Sequence, residues 1–349
     1  MSSKSDKSRV AEYKSISIIG DGGMGTVLAM LLCEKGVSTR MWGYDREQLA
    51  EIEKRRENKK FLPGHSLPQS LRFEPDDKRI MAGAELIVSA VPCQFTRSVW
   101  ARLRDYVPDG VSILSVTKGV ENDTLLRPTQ ILADVLSEKL KAKNSKLKTA
   151  VLSGPTIADE LARRLPATVC VAADDEEVAR QVQHTLNCPH LRVYTNKDVL
   201  GVELAGAMKN VIAIAAGILD GIGAGDNAKA ALLSRGLAEI TRLGVACGAR
   251  PQTFAGLTGL GDLVTTCISP TGRNRSFGER VGGGQSVRQA QGATESVVEG
   301  VATCESVVAL ARRYDVEMPI TQAVYEVLFE NKPVQQALAD LMTRRLKAE

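Results

Sequence analysis

Six short apolar runs rich in β-branched residues recur over the first two hundred positions, and stretches of helical spacing separate them. "SISIIG" (15–20) comes first, with helical spacing over Met24–Cys33 behind it. "STRMWGY" (38–44) follows, then a charged helical stretch over Glu47–Asn58. "ELIVSAVP" (85–92), "VSILSVTKG" (111–119), "KTAVLSGP" (148–155) and "PATVCVAA" (166–173) continue the series. Such strand–helix alternation predicts βαβ units and a mostly parallel sheet. Past about Asn196 the strand runs stop. Helical segments punctuated by glycine take over at 198–219, 226–247, 251–257, 273–282, 300–313 and 319–330. The pattern predicts an α/β domain over 14–199 behind a flexible leader over 1–13, then an all-helical domain over 200–345. With no Pro- or Ser-rich linker, the long apolar helix joins the two directly.

That helix poses a problem. "GVELAGAMKNVIAIAAG" (201–217) is small and apolar all round, the mark of an interior helix, yet it carries Lys209 and Asn210. A buried ammonium is costly unless it is paired or loses its proton. Two readings stand on this stretch alone: a lysine that runs its stem out to water, or a site residue.

Composition narrows the classes. Of 349 residues, 44% are hydrophobic and 25% charged, with 45 basic against 41 acidic side chains. That describes an ordinary globular protein long enough for two cores. The scattered charges form no nucleic-acid stripe, although the mild positive excess suits a small anionic substrate. Seven dispersed cysteines without CxxC predict free thiols in a reducing, cytoplasmic setting. No apolar run reads as a membrane span, and the start lacks the apolar segment of a signal peptide.

The first strand runs into G-x-G-x-x-G at Gly20, Gly22 and Gly25, which opens a helix. The first glycine permits the turn, the second lets backbone approach a pyrophosphate, and the third lets helix pack on strand. The helix N-terminus then presents free N–H groups and positive dipole to the phosphates. The ligand predicted is a dinucleotide. Asp45 stands at the acid position expected for NAD, but Arg46 follows and suits a 2′-phosphate, so NAD(H) and NADP(H) both stay open.

Several stretches together resemble the NAD(P)-dependent glycerol-3-phosphate dehydrogenase family: "GDGGMGT" (20–26), "SVTKGVE" (115–121), "SGPTIADEL" (153–161), "GVELAGAMKNVIAIAAGILDGIG" (201–223), "GLTGLGDLVTTC" (256–267), "GRNRSFG" (272–278) and "VVEG" (297–300). They run in order from about residue 15 to 340. The resemblance implies a Rossmann-type N-terminal domain, a helical C-terminal domain, a homodimer, and interconversion of sn-glycerol 3-phosphate with dihydroxyacetone phosphate for glycerophospholipid synthesis. Carried over by residue, it implies Lys209 as acid/base and Lys118 against both substrate and nicotinamide. Asn210, Asp262 and Thr266 would line the reacting end of the substrate. Arg273, Asn274 and the N–H of Gly272 would hold its phosphate, while Gly154 and Thr156 lie along the cleft. Gly23, Met24, Tyr44, Ala158, Val297 and Glu299 would touch the cofactor together with Lys118 and Arg273. Many relatives carry serine where Gly272 stands, so a hydroxyl contact is lost here.

Chemistry is consistent with that assignment. Oxidising a secondary alcohol needs a base with a pKa near neutrality, and burial beside a second lysine would lower that of Lys209. Asp262 would oppose the shift while holding the amine. Arg275 and Arg280 read as a solvated helix face. His184, Cys188 and His190 lie close together without a complementary ligand cluster, so no metal is expected. His65 reads as a surface or cleft-edge residue, "VGGGQS" (281–286) as a link between helices, and Asp226 as a helix cap.

Overall fold

The computed structural model describes residues 10–142, 146–294 and 297–346. Most of the expected leader therefore lies outside the described residues. Tyr13, assigned to it, is buried: its N–H donates to Thr185 Oγ1 (3.1 Å) and its hydroxyl to Ser112 Oγ (2.9 Å).

Among the described residues ten strands form in chain order: β1 Ser15–Ile19, β2 Ser38–Trp42, β3 Glu57–Asn58, β4 Leu62–Ser66, β5 Arg72–Phe73, β6 Leu86–Ser89, β7 Ser112–Ser115, β8 Lys148–Ser153, β9 Ala167–Ala173 and β10 Leu191–Asn196. Eight make one sheet in the order β10-β9-β8-β7-β6-β1-β2-β5, and β3 and β4 form a separate antiparallel pair. The sheet is parallel except where β8 meets β9. Central strands are buried on both faces, which is why they read as continuous apolar runs. Two apolar layers cover those faces, one around Ile16, Ile18 and Leu28, the other around Ile19, Trp42 and Trp100.

Four strands were not expected. β10 alternates buried and exposed residues, because it is an edge strand with one wet face. β3 and β5 span two residues each, and β4 contains Pro63 and Gly64.

From Val199 onward the described chain is helical. The helix Val199–Gly221 sits at the centre of its own apolar core with Phe254, Phe277 and Leu310. Its 23 residues are long and apolar enough to cross a membrane, against expectation, but the whole apolar window is buried within the protein. Small residues are needed on its surface. A Cβ on Gly217 would come 1.9 Å from the carbonyl oxygen of Arg275, so the helix Arg273–Gly282 packs backbone against backbone there. Asp198 caps the long helix and accepts from Gly201 N (2.9 Å), Arg250 N (2.9 Å) and Thr253 Oγ1 (2.6 Å). Glu203, fully buried, is paired with Arg127 and accepts from Thr129 N and Oγ1 at 2.8 Å, which fastens the helix to the helix Pro128–Ala142 beside the sheet.

Two further expectations change. Asp226 is not a cap: the helix Gly225–Ala246 begins one residue earlier and holds Asp226 in its first turn, where a carboxylate suits the dipole. Arg275 is not solvated. It pairs with Asp220 (2.6 Å) and Glu279 (3.2 Å), tying the ends of two packed helices together. The glycine link is present between Gly282 and Ser286, and Ser286 opens the next helix with a capping box. All seven cysteines are described and are free thiols.

Candidate functional site

Gly20 follows β1 with φ of +115°, a conformation reserved for glycine, and a Cβ there would lie 2.6 Å from Ala90 O. A Cβ on Gly25 would lie 2.2 Å from Gly20 O, so the helix Gly23–Glu34 can start this close to the strand only with glycine. Gly22 meets nothing within 4 Å; it faces open space. The helix has no side-chain cap, which leaves its first N–H groups for a ligand. Asn58 braces the turn by donating from Nδ2 to Asp21 O (2.7 Å) and Thr26 Oγ1 (2.8 Å).

This turn forms one end of a cleft of about 840 Å³ that runs between the sheet and the helical region. Of the expected residues, Gly20, Gly22, Gly23, Met24, Tyr44, Lys118, Thr156, Ala158, Lys209, Asn210, Thr266, Gly272, Arg273, Asn274, Val297 and Glu299 line it. Gly25 packs beneath the turn. Gly154 lies behind the wall, its carbonyl accepting from Lys118 Nζ (3.4 Å) and Thr156 Oγ1 (3.2 Å). Asp45 and Arg46 do not line the cleft. Asp45 caps the helix Arg46–Arg55, accepting from Glu47 N (3.0 Å) and Gln48 N (3.1 Å), and Arg46 is exposed.

At the far end three titratable groups meet. Lys118 follows the carboxyl end of β7, Lys209 lies mid-way along the long helix, and Asp262 begins the helix Asp262–Ile268. A π-helical turn, Leu257–Gly261, delivers Asp262; such turns recur at functional sites. Asp262 bridges the ammoniums, with Oδ2 accepting from Lys118 Nζ at 2.5 Å and Oδ1 from Lys209 Nζ at 2.8 Å. Lys209 also donates to Thr266 Oγ1, which in turn donates to Asp262 Oδ1 (3.2 Å). Lys209 is 6% exposed and Asp262 1%. Burial drives the Lys209 pKa down to about 8: Lys118 reinforces the shift and Asp262 opposes it. Burial alone would raise the Asp262 carboxyl, but the two ammoniums outweigh it and hold the group below its ordinary range.

Arg273 and Asn274 occupy the first turn of their helix, after Gly272. The N–H of Gly272 was expected to be a donor to ligand. It is instead committed to Ser269 O (3.1 Å), closing the turn that precedes the helix. Asn274 Oδ1 accepts from Gly300 N (2.9 Å), which fixes the amide so that Nδ2 is the end left over. Arg273 Nη1 donates to Val297 O (3.3 Å), joining this turn to the segment that carries Glu299. Asn210 Nδ2 and Ser153 Oγ are buried in the cleft wall without a hydrogen-bond partner among the described residues. Ser153 and Asp21 were missed from sequence; a lone serine or an acid inside a glycine turn carries no local signal. His65 does not line the cleft but pairs at 2.8 Å with Asp159, which does. Cys188 lies 3.7 Å from His190 Nε2, and no group of three metal-ligating side chains occurs among the described residues.

Residues 15–179 match the model of the NAD-dependent glycerol-3-phosphate dehydrogenase N-terminus, and residues 198–339 match that of its C-terminus. The chain belongs to this NAD-dependent glycerol-3-phosphate dehydrogenase family. It is 47% identical over 334 residues to the glycerol-3-phosphate dehydrogenase [NAD(P)+] of Chlorobium phaeobacteroides, covering 96% of this chain and 98% of that one. A relative of the same name from Geobacter sulfurreducens gives the same identity and coverage, 47%, 96% and 98%. The crystal structure of glycerol-3-phosphate dehydrogenase from Coxiella burnetii superposes with a TM-score of 0.90 at 36% identity, over 95% of this chain and 99% of that chain. The family is NAD(P)-dependent, and the open face of Gly22 at an uncapped helix start fits a pyrophosphate.

Proposed function

We propose that the protein interconverts sn-glycerol 3-phosphate and dihydroxyacetone phosphate with NAD(P), supplying glycerol 3-phosphate for glycerophospholipid synthesis. One observation carries the reading: a buried lysine held by Asp262 shares a cleft with a dinucleotide-type glycine turn at one end and an Arg-Asn helix start at the other. Bound NAD(P) supplies the hydride acceptor or donor. Gly20, Gly22, Gly23 and Met24 would hold its pyrophosphate, and Tyr44, Ala158, Val297 and Glu299 would flank the rest of it.

Alcohol oxidation also releases the hydroxyl proton, and the neutral amine of Lys209 takes it. In ketone reduction the ammonium of Lys209 returns it. Asp262 holds that nitrogen in place through a 2.8 Å hydrogen bond, and the charge of Lys118 steadies negative charge that develops on the substrate oxygen. The unpaired Nδ2 of Asn210 is a donor of the kind a reacting oxygen needs. At the other end of the substrate, the fork of Arg273, the amide of Asn274 and the helix start receive the phosphate. Thr156 would lie along the carbon chain between them, beside Gly154. We read the chain as a dinucleotide domain over 14–199 and a substrate domain over 200–345, with this site where the two meet. A homodimer in the cytoplasm completes the proposal.

Lys209→Ala tests it. Turnover should be lost while NADH affinity, followed by fluorescence titration, stays within about twofold, since the residue serves proton transfer and not coenzyme binding. Turnover at the wild-type rate refutes the role.

A further inference from the structure

The charged groups that line the cleft are unevenly placed. Among the described residues that line it, the cations are Lys118 and Lys209 at the reacting end and Arg273 at the start of the helix Arg273–Gly282. The end beside the glycine turn, bordered by Trp42 and Tyr44, holds a carboxylate instead, that of Asp21. Two other acids line the cleft: Asp159, engaged by His65 (2.8 Å) and Arg163 (2.9 Å), and Glu299 near Arg273.

Asp21 stands between the first two glycines of the turn. Its carboxylate points at Gly43, the residue that follows β2. A Cβ built on Gly43 would lie 3.0 Å from Asp21 Cγ and Oδ2 and 3.3 Å from Oδ1. Any larger residue at 43 would displace it. The carboxyl end of the second strand is where this fold brings the adenosine ribose, and an acid there binds ribose hydroxyls whereas an arginine receives a 2′-phosphate.

Neither residue expected for that task lines the cleft. Asp45 is a helix cap outside the cleft, and Arg46 is exposed outside it. Two further cations lie nearby. Arg102 lies over the rings of Trp42 (5.3 Å) and Tyr44 (5.8 Å), and Asp77 holds its guanidinium at 2.6 and 2.8 Å. Lys60, whose charge Asp21 feels, lies over the ring of Phe61 at 5.3 Å.

We propose that Asp21 selects the coenzyme: its carboxylate accepts hydrogen bonds from the adenosine ribose hydroxyls of NAD(H) and repels the 2′-phosphate of NADP(H). The inference rests on the reading of the cleft as the NAD(P) site. Burial pushes the Asp21 carboxyl above its ordinary range, its own backbone N–H opposes that, and the charge of Asp45 adds to it. Negative charge is thus already unfavourable at this spot. Two hydroxyl donors relieve it, and a phosphate dianion aggravates it.

The test is direct titration of NADH and NADPH by dihydronicotinamide fluorescence, without substrate, on the wild type, Asp21→Asn and Asp45→Asn. The wild type should bind NADH about tenfold or more tightly than NADPH. Asp21→Asn, which keeps the shape and removes the charge, should narrow that ratio by about fivefold or more, mainly through tighter NADPH. Asp45→Asn keeps a capping side chain and should leave the ratio unchanged. Competition of the wild type by ADP-ribose and by 2′-phospho-ADP-ribose reads the same preference without any variant. Equal wild-type affinities for the two coenzymes, an unchanged ratio in Asp21→Asn, or a ratio that moves with Asp45→Asn alone would overturn the proposal. Binding of neither coenzyme to the folded wild type would be a different failure, that of the cleft reading itself.

Discussion

The pH dependence of turnover follows from the burial of one amine. With a pKa of about 8 for Lys209, about a tenth of the molecules carry the neutral base at pH 7. At the ordinary value of 10.5 the neutral fraction would be about one in three thousand, so burial raises it by about 300-fold. For oxidation of glycerol 3-phosphate, kcat/KM should therefore rise about tenfold per pH unit below 8 and level off above it. Ketone reduction needs the ammonium and should fall as pH climbs past the same point. The phosphate of the substrate ionises near pH 6, about two units below the amine, so the rates above pH 7 report Lys209. Asp262→Asn sharpens the test. The carboxylate 2.8 Å from Lys209 favours the charged amine, while Lys118 remains to disfavour it. The oxidation inflection should move down by about one to three pH units in the variant. Initial rates in both directions across pH 6 to 10, on the wild type and the variant, suffice. A flat wild-type profile, an inflection near 10, or an upward move in Asp262→Asn refutes the assignment of Lys209.

Three further expectations follow from separate parts of the structure. Arg273→Ala should raise KM for dihydroxyacetone phosphate by about tenfold to a hundredfold and leave that for unphosphorylated dihydroxyacetone nearly unmoved; equal effects on both remove Arg273 from the phosphate site. Gly25→Ala should lower stability to urea by about 1–3 kcal/mol, because its Cβ meets Gly20 O at 2.2 Å. Gly22→Ala, with nothing within 4 Å, should spare stability and weaken NADH binding, and the reverse pattern between the two variants would contradict the turn's assignment. Asp198→Ala leaves Gly201 N, Arg250 N and Thr253 Oγ1 without their acceptor and should cost about 2–4 kcal/mol in urea unfolding, with a loss below 1 kcal/mol arguing that the cap is dispensable.

How much of this could be read from the chain alone depended on the range of the interactions involved. The central strands were legible because burial on both faces writes an unbroken apolar run. β10 was not, since "LRVYTN" exposes Arg192 and Tyr194 on its wet face and so dilutes the apolar signal. The turn at 257–261 matched no helical period because it is π-helical, and Gly259 is there to let backbone pass: a Cβ would lie 2.0 Å from Phe254 O. Arg275 looked like one more basic residue on a helix. Its partner Asp220 is 55 positions away, at the end of a different helix, and no local pattern encodes that distance.

The site shows the same division. Lys209 was conspicuous from sequence because a charge inside an apolar helix violates the local rule, and the violation itself is the signal. Asp262 and Thr266, i and i+4 on one short helix, came only through resemblance, for an acid and a threonine after a glycine-rich turn break no rule. Asp45 stands at the opposite extreme: it satisfied the spacing rule for a ribose acid, yet the structure uses it to cap a helix. Spacing along the chain constrains which backbone turn a side chain leaves from, but not which way it points. At the close of β2 that direction is decided by Gly43, whose missing side chain leaves room for a carboxylate arriving from the glycine turn 22 residues earlier. On the proposed reading, coenzyme choice in this chain is a property of two loops meeting, with the carboxylate supplied from inside the glycine turn itself.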